Sequence, residues 1–348
     1  MSMKKIHFLA IILMSANLYA QTTDVITNLN SPSAMQYDGN ILYFSQLPGQ
    51  ISKIDITDPN PIAVDIVTGL DSPYDIILKD NFLYISEFGA NKISKINITD
   101  QNPTATDVVT GVNGPEGLEL NGNDLYIVQP NYDKISKIDI TDPNPTATEI
   151  VSGLDLPARI ALKDNILYIS ELASNKISKI DITSPNPNPV DVITGLNGPY
   201  GLTFINNDLY ICEGFGNKIS KIDITNINPT TTEIVTELDK PIETLLIGDC
   251  LYIVEIFGNK ISKFCDLSLS IEESSIKSDV RLFPNPSSHF IQVSNLKESE
   301  IFKIYNVLGN LVLEGSISEN NMIDIRHLNI GLYIIRIENN GAIKFIKE

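Results

Sequence analysis

The side chains best suited to chemistry recur at a few fixed places in this chain. An acid returns as Glu87, Glu171, Glu213 and Glu255, with Gln46 and Gln129 at the equivalent spacing. Evenly placed carboxylates can ring a divalent cation. A group required in every unit is read first as a structural acceptor, here for the amides of the turn that follows it. A second set of equivalent positions is irregular: Ser33-Ala34, Tyr74-Asp75, Glu116-Gly117, Ala158-Arg159, Tyr200-Gly201 and Ile242-Glu243. The acids of that set are Asp75, Glu116 and Glu243. Arg159 is the only arginine between residues 21 and 265. The three histidines, His7, His289 and His327, all lie outside that stretch, which excludes imidazole bases and His-rich zinc sites from it.

These residues are positioned by a repeat of 42 residues. Ile-Ser-Lys-Ile starts at Ile51, Ile93, Ile135, Ile177 and Ile219 and returns as Ile261-Ser262-Lys263-Phe264. A tyrosine precedes each copy (Tyr43, Tyr84, Tyr126, Tyr168, Tyr210, Tyr252), and a proline opens each unit (Pro32, Pro73, Pro115, Pro157, Pro199, Pro241). Within a unit the β-branched, roughly alternating runs predict four short strands: a, Tyr74 to Leu78; b, Leu83 to Glu87; c, Lys92 to Ile98; d, Ala105 to Thr110. Four strands per unit of this length predict a propeller blade. Six a-b-c sets have only five d strands between them, and Asp24-Val25-Ile26-Thr27 supplies the sixth by pairing with the last strand c. The expected fold is therefore all-β: a six-bladed propeller over residues 21–265, closed by its N-terminal strand.

If the hairpin from Glu255 to Lys260 pairs end to end, Cys250 and Cys265 face each other across the ladder, within reach of a disulfide. Cys212 stands where other units have Ser86 or Ser170 and reads as core filler. The run Asp55 to Pro61, repeated at Asp139 to Pro145, has the spaced carboxylates of a calcium loop without its glycine and terminal Glu, and is read as the c-d turn. Near-identical units differ after the strand-a proline and in the b-c loops (Phe88, Tyr132, Phe215 and Phe257 among them), two sets that emerge on one face of a propeller. This face is the candidate ligand site: Tyr74, Tyr132, Tyr200 and Phe215 as flat apolar surfaces, Asp75, Glu116, Arg159 and Glu243 as polar groups.

The blade segments, such as Pro73-Tyr74-Asp75-Ile76 through Leu83-Tyr84-Ile85-Ser86-Glu87 and Asn91-Lys92-Ile93, resemble the NHL-type repeat, with Glu or Gln in place of its Asp and Lys in place of its Arg. Such propellers include binding scaffolds, lactonases and lyases. The chain also resembles gluconolactonase-like propellers, which hold one divalent metal at the channel mouth. That likeness implies the alternative of a metal-dependent hydrolase or lactonase that holds one divalent cation such as calcium on Asp75, Glu116 and Glu243.

The two ends read differently. Residues 1–20 carry two lysines, an apolar run and a small-residue end, the order of a signal peptide; no other run predicts a transmembrane segment in the mature chain. After a linker at 266–278, residues 279–348 form short strands with Pro, Gly and Asn turns, predicting a small β-sandwich. Phe283-Pro284-Asn285-Pro286, the run around Gly309 and Leu328-Asn329-Ile330-Gly331-Leu332-Tyr333 resemble the type IX secretion C-terminal sorting domain, with Phe283 where Tyr is usual. The resemblance implies a path through the periplasm, recognition by the type IX secretion machinery, and a secreted or cell-surface product.

The formal charge of −18 is concentrated in the propeller, which carries 15 basic and 32 acidic residues. It argues against nucleic-acid binding, but it is largely the same acids copied unit by unit. The sequence therefore predicts an exported monomeric binding module that needs no cofactor, its ligand an extracellular small molecule, glycan or protein.

Overall fold

The computed structural model describes residues 22–265, 281–296, 299–306, 311–318, 321–337 and 341–348. The expected leader at 1–20 and the linker at 266–278 lie outside these residues. The chain divides into two compact units, residues 1–266 and 267–348.

The described part of the first unit contains six four-stranded antiparallel sheets. In the second of them strands a to d are Pro73–Lys79, Phe82–Glu87, Lys92–Asn97 and Thr106–Thr110. Strand a of each sheet packs on strand a of the next, and the sixth packs on the first, so the sheets close a ring as a β-propeller. The N-terminal strand Thr23–Ile26 is the outer strand of the last sheet, with Thr23 opposite Lys263 and Asp24 opposite Ser262. Strand Cys250–Glu255 lies on the other side of the same c strand, and Cys250 is joined to Cys265 by a disulfide one residue beyond the Leu251–Phe264 pair.

The apolar cores sit between neighbouring sheets. Ala34, Tyr43 and Ile51 of the first sheet pack with Ile76, Leu83, Ile85 and Ile96 of the second. Strand b, covered on both faces, is buried almost throughout, as a doubly covered strand must be. Strand d is largely exposed.

The recurrent acid closing strand b is a structural acceptor, but its partners differ from those expected. Glu213 Oε1 accepts from Ser220 Oγ on strand c (2.7 Å), and Oε2 accepts the Asn197 amide (2.8 Å) in the segment entering strand a. Glu87 and Glu255 repeat this pattern, with Ser94 and Asp71 and with Ser262 and Asp239 as donors; Gln46 and Gln129 also bond the equivalent serines. The amides satisfied belong to the link between sheets rather than to the b-c turn, because the side chain runs back past strand b. The c-d turn is also self-contained, with Asp55, Asp139, Asp181 and Asp223 each accepting the amide and hydroxyl of a threonine two residues on.

In the second unit, a three-stranded sheet (Arg281–Phe283, Phe290–Ser294, Met322–Asp324) and a four-stranded one (Glu300–Asn306, Leu311–Ile317, Gly331–Ile337, Gly341–Lys347) share one core containing Ile291, Val293, Phe302, Ile304, Ile323, Ile335 and Phe345. Asn285 caps the edge of the last strand as a backbone segment would. Its Nδ2 donates to Lys344 O and its Oδ1 accepts from Ile346 N, both at 2.9 Å.

Glu213→Ala strands a buried hydroxyl and an amide and is expected to lower unfolding stability by about 2–3 kcal/mol, whereas Glu213→Gln keeps acceptor and shape and costs less than about 1 kcal/mol. Urea unfolding of the two variants checks this difference.

Candidate functional site

The varied positions after the strand-a prolines occupy the inner strands of the ring. Two places after each proline stand, in order, Ala34, Asp75, Gly117, Arg159, Gly201 and Glu243, so that charged residues alternate with small ones. The alternation has a steric cause. A Cβ on Gly117 would lie 2.7 Å from Ala158 O, and one on Gly201 would lie 2.7 Å from Ile242 O. Strand a of one sheet thus approaches the next backbone too closely at these places for any side chain. In most sheets the register with strand b shifts at this point, as between Pro73 and Asp75 and between Pro241 and Glu243, a bulge that re-aims the residues beside it.

The ring brings Asp75, Glu116, Arg159 and Glu243 into one cluster. Arg159 is only 4% exposed. Its Nη1 donates to Glu116 Oε1 at 3.0 Å, its Nε to Glu243 Oε2 at 3.3 Å, and its Nη2 to the Tyr74 carbonyl at 3.1 Å; Asp75 Oδ2 is 3.8 Å from Nε. Asp75 is itself occupied, accepting the Ile76 amide with Oδ1 (2.8 Å) and the Leu118 amide of the next sheet with Oδ2 (2.7 Å). Glu119, which sequence reasoning passed over because it lies within a strand, accepts the Leu120 amide at 3.1 Å and the Leu162 amide of the following sheet at 3.3 Å. These carboxylates therefore satisfy the amides of inner edge strands that would otherwise lack a partner.

One guanidinium serves three carboxyl groups, those of Asp75, Glu116 and Glu243. Burial pushes Glu116 and Glu119 up to about 7 and Glu243 up to about 8, with Arg159 pulling Glu116 and Glu243 back only in part. Burial also raises Asp75. Polar groups expected to face a ligand thus face one another. Among the described residues no group of three or more His, Cys, Asp or Glu side chains is arranged to hold a metal ion. The guanidinium lies among the three carboxylates proposed as cation ligands, where its charge opposes a second cation.

Tyr74 and Tyr200 stand beside this cluster, where burial and the Glu116 charge push their phenols up and Arg159 draws them partly back, whereas Tyr132 and Phe215 lie on the b-c segments. Tyr74 packs against Phe88 with ring centroids 5.0 Å apart. Tyr132, in a 3-10 turn from Pro130 to Tyr132, is 51% exposed, Phe215 56% and Phe257 64%. Lys240, which the sequence reading missed because it precedes its proline, holds its Nζ 4.4 Å from the Phe257 ring centroid, 5.5 Å from Phe215 and 5.9 Å from Tyr200. A Cβ on Gly198, whose φ is +65°, would come within 2.5 Å of the Phe215 ring, and one on Gly214 would come within 3.2 Å of the Tyr200 ring. Glycine backbone therefore fixes both rings from behind. Tyr200, Phe215, Phe257 and Lys240 form a preorganised aromatic surface bearing an ammonium group.

The raised carboxyls fix a pH dependence. Unfolded Glu releases its proton near pH 4.5, while Glu116, Glu119 and Glu243 keep theirs until pH 7–8 when folded, so the folded chain binds more protons across that window. Stability is accordingly expected to fall as pH rises from about 5 through 8, and Glu243→Gln to flatten that fall. Thermal unfolding midpoints at successive pH values measure both.

Residues 281–348 match the family of the secretion system C-terminal sorting domain. No curated protein matches the chain. Among solved structures, virginiamycin B lyase from Staphylococcus aureus is similar at 19% identity, over 78% of this chain and 94% of that one, with a TM-score of 0.51. An auxiliary nutrient binding protein from Bacteroides ovatus shares 14% identity over 67% of this chain and 68% of that one (TM-score 0.57), and a luciferin-regenerating enzyme 12% over 71% and 96% (TM-score 0.60). At these identities the likeness concerns the fold alone. No helix of the described residues is long and apolar enough to cross a membrane. The molecule is thus a β-propeller carrying, at residues 281–348, a type IX secretion sorting domain that directs export to the cell surface or the medium.

Proposed function

We propose that this chain is an exported six-bladed propeller, led by a signal peptide at 1–20 and followed by a sandwich-like sorting domain, that binds an extracellular small molecule, glycan or protein without transforming it. The face carrying the b-c loops is the binding surface, with Tyr200, Phe215, Phe257 and Lys240 at its centre and Tyr74 and Tyr132 extending it. One observation carries this reading: the charged residues of the ring are spent on each other and on backbone amides, while Phe215 and Phe257 beside Lys240 stay exposed and glycine backbone backs Phe215 and the half-buried Tyr200. An exposed, prefixed aromatic surface binds at low entropic cost, since few rotamers are lost. Arg159 and its carboxylates hold the inner strands that carry these loops and act through position.

Binding and hydrolysis are separated by assaying the purified secreted chain against glycan and lactone panels, with calcium and with chelator. The expected result is saturable binding without turnover, unchanged by chelator and weakened about tenfold or more by Phe215→Ala or Phe257→Ala. Calcium-dependent lactone hydrolysis that is lost in Glu116→Gln would overturn the reading in favour of a metal-dependent hydrolase.

A further inference from the structure

The outward face of the four-stranded sheet in the second unit carries an electrostatic arrangement that folding alone does not favour. Lys303 and Arg336 are direct partners across the ladder between strands Glu300–Asn306 and Gly331–Ile337. Their neighbours Phe302, Ile304, Ile335 and Ile337 are buried in the core, so by strand alternation both cations stand on the opposite face, and both are exposed. Like charges placed directly opposite one another destabilise a sheet. The propeller avoids this cost: Lys92, Lys176, Lys218 and Lys260 each bridge two carboxylates. Among the described residues neither Lys303 nor Arg336 makes an ion pair, and Glu314, opposite Lys303 on the other side, makes none with it.

The same two side chains line a cavity of about 270 Å³ with Tyr305 and Ile301. Its polar lining consists of an ammonium, a guanidinium and a phenol, all hydrogen-bond donors, and the guanidinium fork matches a carboxylate. Around it lie exposed apolar side chains: Ile301 at 52%, Leu332 at 42% and Ile346 at 46%. A cation pair inside an apolar border is complementary to an acidic side chain set among apolar ones. A cavity of this size admits one such side chain.

We propose that this face is the docking surface for a protein partner in export, and that Lys303 and Arg336 receive a carboxylate from an acidic, apolar-flanked segment of that partner. Tyr305 adds a third donor, and Ile301, Leu332 and Ile346 cover the partner's apolar flanks. The inference rests on the sorting-domain assignment and is independent of what the propeller binds.

The test uses the full chain in cells carrying a type IX secretion system, with the exported fraction compared with that retained in the periplasm. Lys303→Gln combined with Arg336→Gln removes the mutual repulsion, so its unfolding midpoint should equal or exceed that of the parent chain while export falls about tenfold or more. Lys303→Arg with Arg336→Lys keeps both charges and should be exported normally. Normal export of the neutral pair, or equal failure of the charge-keeping pair, would overturn the proposal. So would binding of the purified chain to vesicles of phosphatidylcholine and phosphatidylglycerol that the neutral pair abolishes, because the acidic partner would then be a lipid surface.

Discussion

The contact on which this molecule turns is a single guanidinium shared by carboxylates from separate sheets. Arg159 reaches Glu116 in the preceding sheet, Glu243 two sheets onward and the Tyr74 carbonyl two sheets back. No pair of neighbouring sheets could assemble it alone. A buried cation held this way costs several kcal/mol to desolvate, and loss of either partner leaves the other uncompensated. The cluster therefore acts less as a source of stability than as a device that fixes how the inner strands meet. Its excess of carboxyl groups is tolerated because Glu116 and Glu243 hold their protons to near neutrality, while Asp75 accepts amides of its own and of the adjoining sheet.

From that centre the rest follows outward. Small residues at Ala34, Gly117 and Gly201 alternate with the three charged side chains, and at Gly117 and Gly201 neighbouring backbones come close. The acid or amide at the end of each strand b ties strand c to the link entering strand a, so each sheet is anchored to its own entry segment. With the scaffold secured by repeated bonds, the b-c loops are free to vary. They carry the exposed rings of Tyr132, Phe215 and Phe257.

Much of this architecture was legible because burial repeats. The prolines, tyrosines and Ile-Ser-Lys-Ile runs mark strands a, b and c to within a residue or two, since each occupies the same environment in each sheet. The missing strand d pointed to Asp24 through Thr27, and Thr23–Ile26 fills that place. The candidate site was legible only as a set of positions. Arg159 and Glu243 are 84 residues apart, and nothing local to either shows that ring closure makes them partners. Glu119 was hidden in a strand pattern and Lys240 by its place before a proline. The acceptors closing strand b were recognised as structural, but the amides they satisfy lie 16 residues back and are invisible to turn-based reasoning. At the other end, Phe283-Pro284-Asn285-Pro286 marked the sorting domain by resemblance, and the structure supplies a physical reason for its Asn: the amide completes the edge of the final strand.

The most direct test of the central contact is titration of the glutamate side-chain carboxyls in the folded, isotope-labelled chain, followed by NMR, with Glu116→Gln and Glu243→Gln used for assignment. Arg159 shared among buried carboxyls requires resonances that titrate near pH 7 to 8 and vanish singly in those variants. If every glutamate instead titrates near its ordinary value of about 4.3, the carboxyls are solvated and the cluster does not hold the ring as described.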